Sequence, residues 1–239
     1  MSQPPAGPRR VPQALSPRRS GARLRSRLRR LRWASRLRLE RAAKRTLDIV
    51  ASGSAILVFS PFIAFIAAAI KFHDGGPVLF WQTRVGRFGR HFAFPKFRSM
   101  CVDAEARKAA LMAANDHGEA GVTFKMKRDP RVTPIGRFLR RTSLDELPQL
   151  LCVLRGHMSL VGPRPPVPSE VEHYTLAQRR RLDVTPGLTC IWQVSGRGEI
   201  PFDRQVELDI DYIESRNTAL DVELIAKTVP AVIGGKGAY

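Results

Sequence analysis

The hydrophobic pattern of the chain is dominated by residues 49–70, where 22 consecutive positions carry no charged side chain. At about 1.5 Å per residue, a helix of that length is long enough to cross a bilayer. The segment starts too late in the chain to be a signal peptide. The pattern therefore predicts a membrane-embedded helix over residues 41–73, between an N-terminal segment, 1–40, and a globular part, 74–239.

Two features favour a helix that enters the bilayer and returns over one that crosses it. Ser60 and Pro61 lie in the middle of the segment, and an internal proline removes a backbone donor and kinks a helix. Cations lie on both sides, and the positive-inside rule then holds both ends on the cytoplasmic face; they are Arg41, Lys44 and Arg45 before the segment and Lys71, Arg84, Arg87, Arg90, Lys96 and Arg98 after it. A kinked crossing helix and an unusually apolar core helix are the alternatives.

The globular part has a pattern typical of a mixed α/β fold in which helices dominate. Short apolar runs at 78–81 and 91–94, joined through Gly86 and Gly89, predict a β-hairpin. A leucine stripe at 3- and 4-residue spacing over 144–154 predicts an amphipathic helix. Further helices are expected over 104–114, from 135, and over 174–182, 202–214 and 219–229. No glycine-rich phosphate loop of the Walker or dinucleotide type occurs.

Charge separates the N-terminal segment from the rest of the chain. The chain carries a net charge of +19, and residues 1–45 hold fifteen Lys or Arg against the single acid Glu40. The composition predicts a largely disordered tail over 1–40, although 22–40 is equally compatible with a basic helix lying on an anionic membrane. Such a tail attracts polyanions. The three widely spaced cysteines predict reduced thiols and neither disulfides nor a zinc site.

The candidate chemistry centres on Asp145 and Glu146. Ser143 and Glu146 match a capping box, and acids in a first turn are common in any helix, so the motif alone indicates only a helix start. Adjacent residues on a helix point in different directions, so the two carboxylates are not expected to share a proton. They are expected to act separately, and the positive helix end is expected to keep Asp145 ionised as a nucleophile requires. Three arginines precede them, and guanidinium groups bind phosphate bidentately; they are Arg137, Arg140 and Arg141.

Two later loops hold further candidate phosphate ligands. Arg164 lies in a Gly-Pro-Arg-Pro sequence, where few backbone motions are available to it. Gln193 and Arg197 lie in a second loop near Gly187 and Gly196. Taken alone, each loop is more typical of an ordinary surface turn than of a phosphate site.

Together, the motifs resemble the bacterial sugar transferases, the monotopic polyprenyl-phosphate phosphoglycosyl transferases. The resemblance covers residues 41–239, and its closing segment is similar to the short members that initiate exopolysaccharide with galactose-1-phosphate or glucose-1-phosphate. It rests on motifs that occur in one order: Lys44-Arg45-x-x-Asp48, the segment with Ser60-Pro61, Lys96-Phe97-Arg98-Ser99-Met100, Asp129-Pro130-Arg131-Val132-Thr133, Ser143 to Gln149, Gly162-Pro163-Arg164-Pro165 and Trp192 to Arg197.

The resemblance implies a two-step reaction and a role for each candidate residue. Asp145 would attack the sugar-proximal phosphorus of a UDP-sugar, UMP would leave, and undecaprenyl phosphate would accept the sugar phosphate. Glu146 would place Mg²⁺ together with Asp145 or assist proton transfer. Phosphate and nucleotide contacts would come from Lys96, Arg98, Arg140, Arg164, Gln193 and Arg197. Two positions depart from the family pattern: His157 stands where an acid is usual, and Cys190 replaces a glycine.

The expected location is the bacterial inner membrane, with the catalytic domain on the cytoplasmic face and anionic lipids near the basic tail. No nucleic-acid partner is expected, and a homodimer is compatible with the sequence. The rival interpretation is a membrane-tethered protein that binds nucleic acid or lipid through its basic tail. That rival predicts a function independent of Asp145.

Overall fold

The computed structural model describes residues 19–104, 106, 107 and 129–234. The predicted disorder of residues 1–18 and most of the helix expected over 104–114 therefore lie outside the described residues. The chain divides into two compact units, residues 1–42 and 43–239. The second unit holds both the apolar segment and the globular part.

The described part of the chain is mostly helical, with two small sheets. The α-helices are α1 (Arg19–Asp74), α2 (Pro134–Arg141), α3 (Leu150–Arg155), α4 (Pro168–Glu172), α5 (Leu176–Arg179), α6 (Ile191–Ser195), α7 (Phe202–Ser215) and α8 (Thr218–Gly234). The strands are β1 (Leu79–Val85), β2 (His91–Phe97), β3 (Ser159–Val161) and β4 (Gly187–Thr189). Short 3₁₀-helices cover Arg87–Gly89, Leu144–Gln149, Arg180–Asp183 and Arg197–Glu199. The predicted mixed α/β class is confirmed.

Helix α1 continues through Pro61, so the predicted interruption at Ser60-Pro61 is absent from the helix itself. The missing N–H of Pro61 would have paired with the carbonyl of Leu57, four residues earlier. The Ser60 hydroxyl donates to that carbonyl instead, at 2.8 Å. The Ser60 hydroxyl thus supplies the hydrogen bond that the Leu57 carbonyl loses to the proline. A side-chain donor of this kind is one way in which an apolar helix tolerates a proline. Residues 19–40 are helical in the structure and belong to the same helix.

The two halves of the apolar segment pack against different parts of one hydrophobic core. Ala51, Ala55 and Ile56 lie against the cluster that contains Leu150 and Val153. Ile66 and Ile70 are buried in a second cluster with Phe97 and Leu139, and Leu147 contacts both clusters. Between the halves, Leu57 and Val58 are 75% and 71% exposed. By length and composition α1 could cross a membrane, and it is the one such helix in the described part.

The two sheets have opposite connectivity. Strands β1 and β2 form the predicted hairpin, antiparallel with Leu79 opposite Phe97 and Val85 opposite His91. Strands β3 and β4 pair in parallel, with Ser159 opposite Gly187, and sequence reasoning did not predict them.

At Gly162, directly after the end of β3, and at Gly187, where β4 begins, the two backbones approach so closely that only glycine fits. The Gly162 amide donates to the Thr189 carbonyl at 3.0 Å, and the Gly187 amide donates to the Pro163 carbonyl at 2.9 Å. A Cβ on Gly187 would lie 2.0 Å from the Gly162 nitrogen. These two hydrogen bonds and the close glycine contact fix the backbone of the segment that carries Arg164.

Candidate active site

Asp145 and Glu146 lie in the 3₁₀-helix Leu144–Gln149, which follows Ser143 in the left-handed conformation (φ 54°). The Ser143 side chain makes no capping hydrogen bond, so the predicted capping box with Glu146 is wrong. The predicted helix over 144–154 is divided at Gln149 into a 3₁₀ turn and α3. The tight turn leaves the Glu146 carboxylate free of its own backbone and available to other side chains.

Two cations from distant elements hold the Glu146 carboxylate. Lys96 Nζ, near the end of β2, donates to Glu146 Oε1 at 2.8 Å. Arg164, from the loop after β3, donates through Nη2 to Oε1 at 2.6 Å and through Nη1 to Oε2 at 3.4 Å. Lys96 Nζ also lies 3.7 Å from Asp145 Oδ2. Two carboxylates and two cations thus form one partly buried cluster whose formal charges sum to zero.

The two carboxyl groups of this cluster have opposite pKa shifts. Burial raises the pKa of Asp145, which is 6% exposed, and the Glu146 charge adds to the rise, against the lowering effect of Lys96. Burial acts in the same direction on Glu146, but Arg164 and Lys96 outweigh it and hold the pKa of Glu146 well below its usual range. Glu146 is therefore a permanent anion. The direction at Asp145 is opposite to the one expected from a helix N-terminus, because desolvation exceeds the charge effects.

Two further predicted phosphate ligands act on the cluster electrostatically. Arg140, at the end of α2, lowers the pKa of Asp145. Arg197 has a left-handed backbone (φ 52°). Burial lowers the pKa of Arg197, with Glu146 acting in the opposite direction and Arg164 in the same one. Lys96 and Arg164 thus contact the two carboxylates directly, whereas Arg140 and Arg197 act on them through charge alone.

Arg98 and Gln193 are placed differently from the other candidates. The Arg98 guanidinium forms an ion pair with Asp74 at the end of α1, is 7% exposed and makes no ion pair with Asp145 or Glu146. Gln193 accepts a hydrogen bond at 3.1 Å from the thiol of Cys190, one of the two departures from the family pattern. The other departure, His157, has its ring 5.8 Å from that of Phe92.

Arg84 is a residue of the site that sequence reasoning assigned only to membrane flanking. Its Nη1 donates to the Pro165 carbonyl at 2.9 Å, and its guanidinium lies 5.1 Å from the centroid of the Phe94 ring. Burial and the Arg164 charge lower the pKa of Arg84 to about 10. The available signal was an arginine within a predicted hairpin, and its hydrogen bond to Pro165 holds the loop that carries Arg164.

The described residues offer two carboxylates for a divalent cation. No group of three or more His, Cys, Asp or Glu side chains suited to a metal occurs among them. Mg²⁺ is commonly held by one or two carboxylates together with substrate phosphates and water, so two carboxylates are enough protein ligands for it. Among the described residues, Asp145 Oδ2 has Lys96, at 3.7 Å, as its one ion-pair partner, whereas both oxygens of Glu146 accept from Arg164. The arrangement therefore fits Mg²⁺ through Asp145 more directly than through Glu146.

The sequence is similar to those of a known family and of several named proteins. The family described as bacterial sugar transferase matches residues 39–235. The galactosyl transferase CpsE of Streptococcus agalactiae is 48% identical over 197 residues, covering 82% of this chain and 43% of that protein. The exopolysaccharide production protein ExoY of Rhizobium meliloti is 41% identical over 199 residues, covering 82% of this chain and 88% of that protein.

A third relative carries the name of its reaction. The UDP-glucose:undecaprenyl-phosphate glucose-1-phosphate transferase of Escherichia coli is 40% identical over 209 residues, covering 84% of this chain and 42% of that protein. The chain thus spans less than half the length of two of these relatives and most of the length of the third.

Proposed function

The chain belongs to the bacterial sugar transferase family, and we propose that it transfers a hexose-1-phosphate from a UDP-sugar to undecaprenyl phosphate. The observation that carries the proposal is the buried Asp145 carboxylate beside a Glu146 that two cations hold. The names of the relatives support galactose or glucose as the sugar and exopolysaccharide initiation as the role.

The first step is attack by an Asp145 carboxylate oxygen on the sugar-proximal phosphorus of the donor. A bond forms between that oxygen and phosphorus, and the bond from phosphorus to the bridging oxygen breaks. The bridging oxygen leaves with the electron pair as part of UMP. Burial favours this attack because a desolvated carboxylate with a raised pKa is more reactive once ionised.

The second step returns the enzyme to its starting state. A phosphate oxygen of undecaprenyl phosphate attacks the phosphorus of the phosphosugar-aspartyl intermediate. The bond from phosphorus to Asp145 breaks, and the carboxylate leaves with the electron pair. The product is the lipid-linked sugar diphosphate, and the step exchanges one oxygen–phosphorus bond for another without a change of oxidation state.

The cations around the carboxylates serve both steps. Phosphoryl transfer depends mainly on positioning and on neutralising charge at the phosphate oxygens. Because the cluster itself is neutral, a diphosphate needs additional positive charge, which Arg140, Arg197 and a bound Mg²⁺ would provide. Asp145 would hold Mg²⁺ together with the donor phosphates, and the ion would supply positive charge to the oxygens of the diphosphate. Glu146 itself keeps Lys96 and Arg164 in place.

We also propose that the apolar segment enters the membrane, bends at Pro61 without losing its helical turns, and returns on the cytoplasmic side. Its two ends pack on one hydrophobic core through Ala51 and Ile66, whereas its middle is exposed at Leu57 and Val58. A helix that crossed the bilayer would place those ends on opposite sides, away from a common core. The cations that flank both ends support the cytoplasmic side.

The proposed topology predicts that both ends of the segment face the cytoplasm. In a variant without the three native cysteines, single cysteines at Ala43 and His73 are expected to react with a membrane-impermeant maleimide only after cells are opened. A cysteine at an exposed C-terminal fusion on the cytoplasmic side serves as the control. Labelling of one position in intact cells would contradict the re-entrant arrangement.

The reaction is tested by trapping its intermediate. Purified protein with a UDP-hexose labelled in the β-phosphate, without lipid acceptor, is expected to release about one UMP per active site and to retain label on the protein. Addition of undecaprenyl phosphate is expected to discharge the label into lipid. A donor panel of UDP-galactose, UDP-glucose and their N-acetylamino analogues identifies the sugar. UMP release that requires the acceptor, with no retained label, would indicate direct transfer instead.

A further inference from the structure

Lys44, near the start of the apolar segment, makes three contacts within the folded domain. Its Nζ donates to the Val161 carbonyl at 3.1 Å, to the Tyr212 hydroxyl at 3.2 Å and to Asp221 Oδ2 at 2.6 Å. An ammonium group has three hydrogens, so these contacts use all of its donors. Lys44 therefore links α1 to β3, α7 and α8 through hydrogen bonds that use every donor of its ammonium group.

The Val161 carbonyl depends on Lys44 for its hydrogen bond. The Tyr212 hydroxyl lies 2.7 Å from Asp221 Oδ1 and 3.1 Å from the Val161 oxygen. A hydroxyl has one hydrogen to donate, and the Asp221 carboxylate is the stronger acceptor because it is charged and closer. Burial and the Asp221 charge raise the pKa of Tyr212 well above its usual range, so that hydrogen is retained. Lys44 is left as the donor to Val161.

Asp48, one helical turn after Lys44, holds the other two residues of the same strand. Its Oδ1 accepts from the Ser159 hydroxyl at 3.0 Å and from the Leu160 amide at 2.9 Å. Residues four apart on a helix lie on one face. Strand β3 has only three residues and two ladder positions with β4, so these side chains supply much of its restraint.

We propose that Lys44 is a positioning residue for Arg164, which it controls through the Val161 carbonyl. Only Gly162 and Pro163 separate Val161 from Arg164; the proline fixes its own φ, and Gly162 is bonded to Thr189. Fixing Val161 therefore fixes the start of a stiff three-residue connection to the guanidinium that holds Glu146. The membrane helix thereby sets the position of a phosphate-binding arginine. The inference rests on the proposed function, since it assigns a catalytic consequence to that position.

The alternative role for Lys44 is a flanking charge that only orients the membrane segment. Lys71 flanks the other end and donates to the Gly75 carbonyl on the exposed surface, so it is the matched control. A guanidinium at position 44 keeps the charge but cannot reproduce the three contacts of an ammonium. Lys44→Arg is expected to lower kcat about tenfold or more, since small misplacements of binding groups are costly. Lys71→Arg is expected to leave kcat unchanged.

The decisive measurement is a double-mutant cycle between Lys44→Arg and Arg164→Lys. If Lys44 acts through Arg164, Lys44→Arg should lower kcat about tenfold in the wild-type background and less than about twofold beside Arg164→Lys. Tyr212→Phe, which removes the hydroxyl that contacts Lys44 and Asp221, should show the same coupling with a smaller effect. Tyr174→Phe removes another buried hydroxyl, bonded to Arg181, and its effect should add independently to that of Arg164→Lys. Thermal unfolding midpoints confirm that each variant is folded.

A second measurement does not depend on turnover. Hydrogen exchange at the amides of residues 159–164 should quicken in Lys44→Arg and Tyr212→Phe and stay unchanged in Lys71→Arg. Unchanged exchange, a fully active Lys44→Arg variant, or an additive cycle with Arg164→Lys would each overturn the positioning role. These outcomes differ from failure of the proposed function itself. In that case the wild-type protein would release no UMP or would retain no label.

Discussion

Replacement of Asp145 by Asn is expected to reduce UMP release from UDP-sugar by about a thousandfold or more, the scale on which removal of a covalent nucleophile acts. The amide lacks the anionic oxygen that forms the bond to phosphorus. It matches the carboxylate in size, and it removes a charge from a buried position, so the folded state should not be destabilised. The measurement is single-turnover UMP release by purified protein, with protein-bound label as the second readout.

Asp211 provides the control for this prediction. It is an exposed aspartate on α7, and Asp211→Asn should retain normal turnover. The rival in which the basic tail performs the function predicts the reverse result, in which Asp145→Asn is intact and removal of residues 1–40 abolishes function. Near-normal UMP release by a folded Asp145→Asn variant would end the covalent mechanism.

The elements that the sequence predicts well are those with a strong local pattern. The hairpin of β1 and β2 and the helices α7 and α8 follow from short apolar runs, turn glycines and helical spacing. The helix expected over 144–154 is α-helical only from Leu150, because Pro148 lies in its first half and Ser143 adopts a left-handed conformation, which favours a tight 3₁₀ turn. The parallel pair β3 and β4 has no alternation to read, since all three residues of β3 are buried.

The site was harder to predict than the fold because its contacts are distant in sequence. Lys96 and Arg98 have the same character in the sequence, yet only Lys96 reaches Glu146. Arg98 lies one residue past the end of β2, where the chain passes close to Asp74 and Gly76, and the guanidinium pairs there. Local spacing cannot show which of two neighbouring cations meets a carboxylate 50 residues away.

The polar residues at the start of the apolar segment show a related limit. From the sequence, Lys44 is interpreted as a membrane-flanking charge because a hydrophobic run follows, and Asp48 is noted only as part of the motif with Lys44. In the structure both are inward-facing and bonded to β3. Hydropathy measures only the preference for water, whereas their partners depend on how β3 returns to α1 after more than a hundred residues.

Arg164 should prove more important for turnover than for folding, and two substitutions separate these effects. Arg164→Met removes one of the two cations that pair with the partly buried Glu146 carboxylate and leaves Lys96 as its remaining partner. The free energy of unfolding should fall by about 2 kcal/mol, below the usual range for fully buried pairs because both side chains keep some exposure. The thermal midpoint should then fall by about 5 °C. Turnover should fall about a hundredfold or more, because a phosphate contact is lost at the reacting centre.

Addition of Glu146→Gln to Arg164→Met removes the uncompensated charge and should restore most of the thermal midpoint. Turnover should stay low, since neither change returns a cation to the phosphate. Arg180, which pairs with Glu214 on the exposed surface, is the matched control, and Arg180→Met should alter stability by less than about 0.5 kcal/mol without changing turnover. A double variant that regains both stability and turnover would show that Arg164 serves only to neutralise Glu146. Restored stability with turnover well below that of Glu146→Gln alone would instead identify the arginine as a ligand of the transferred phosphate.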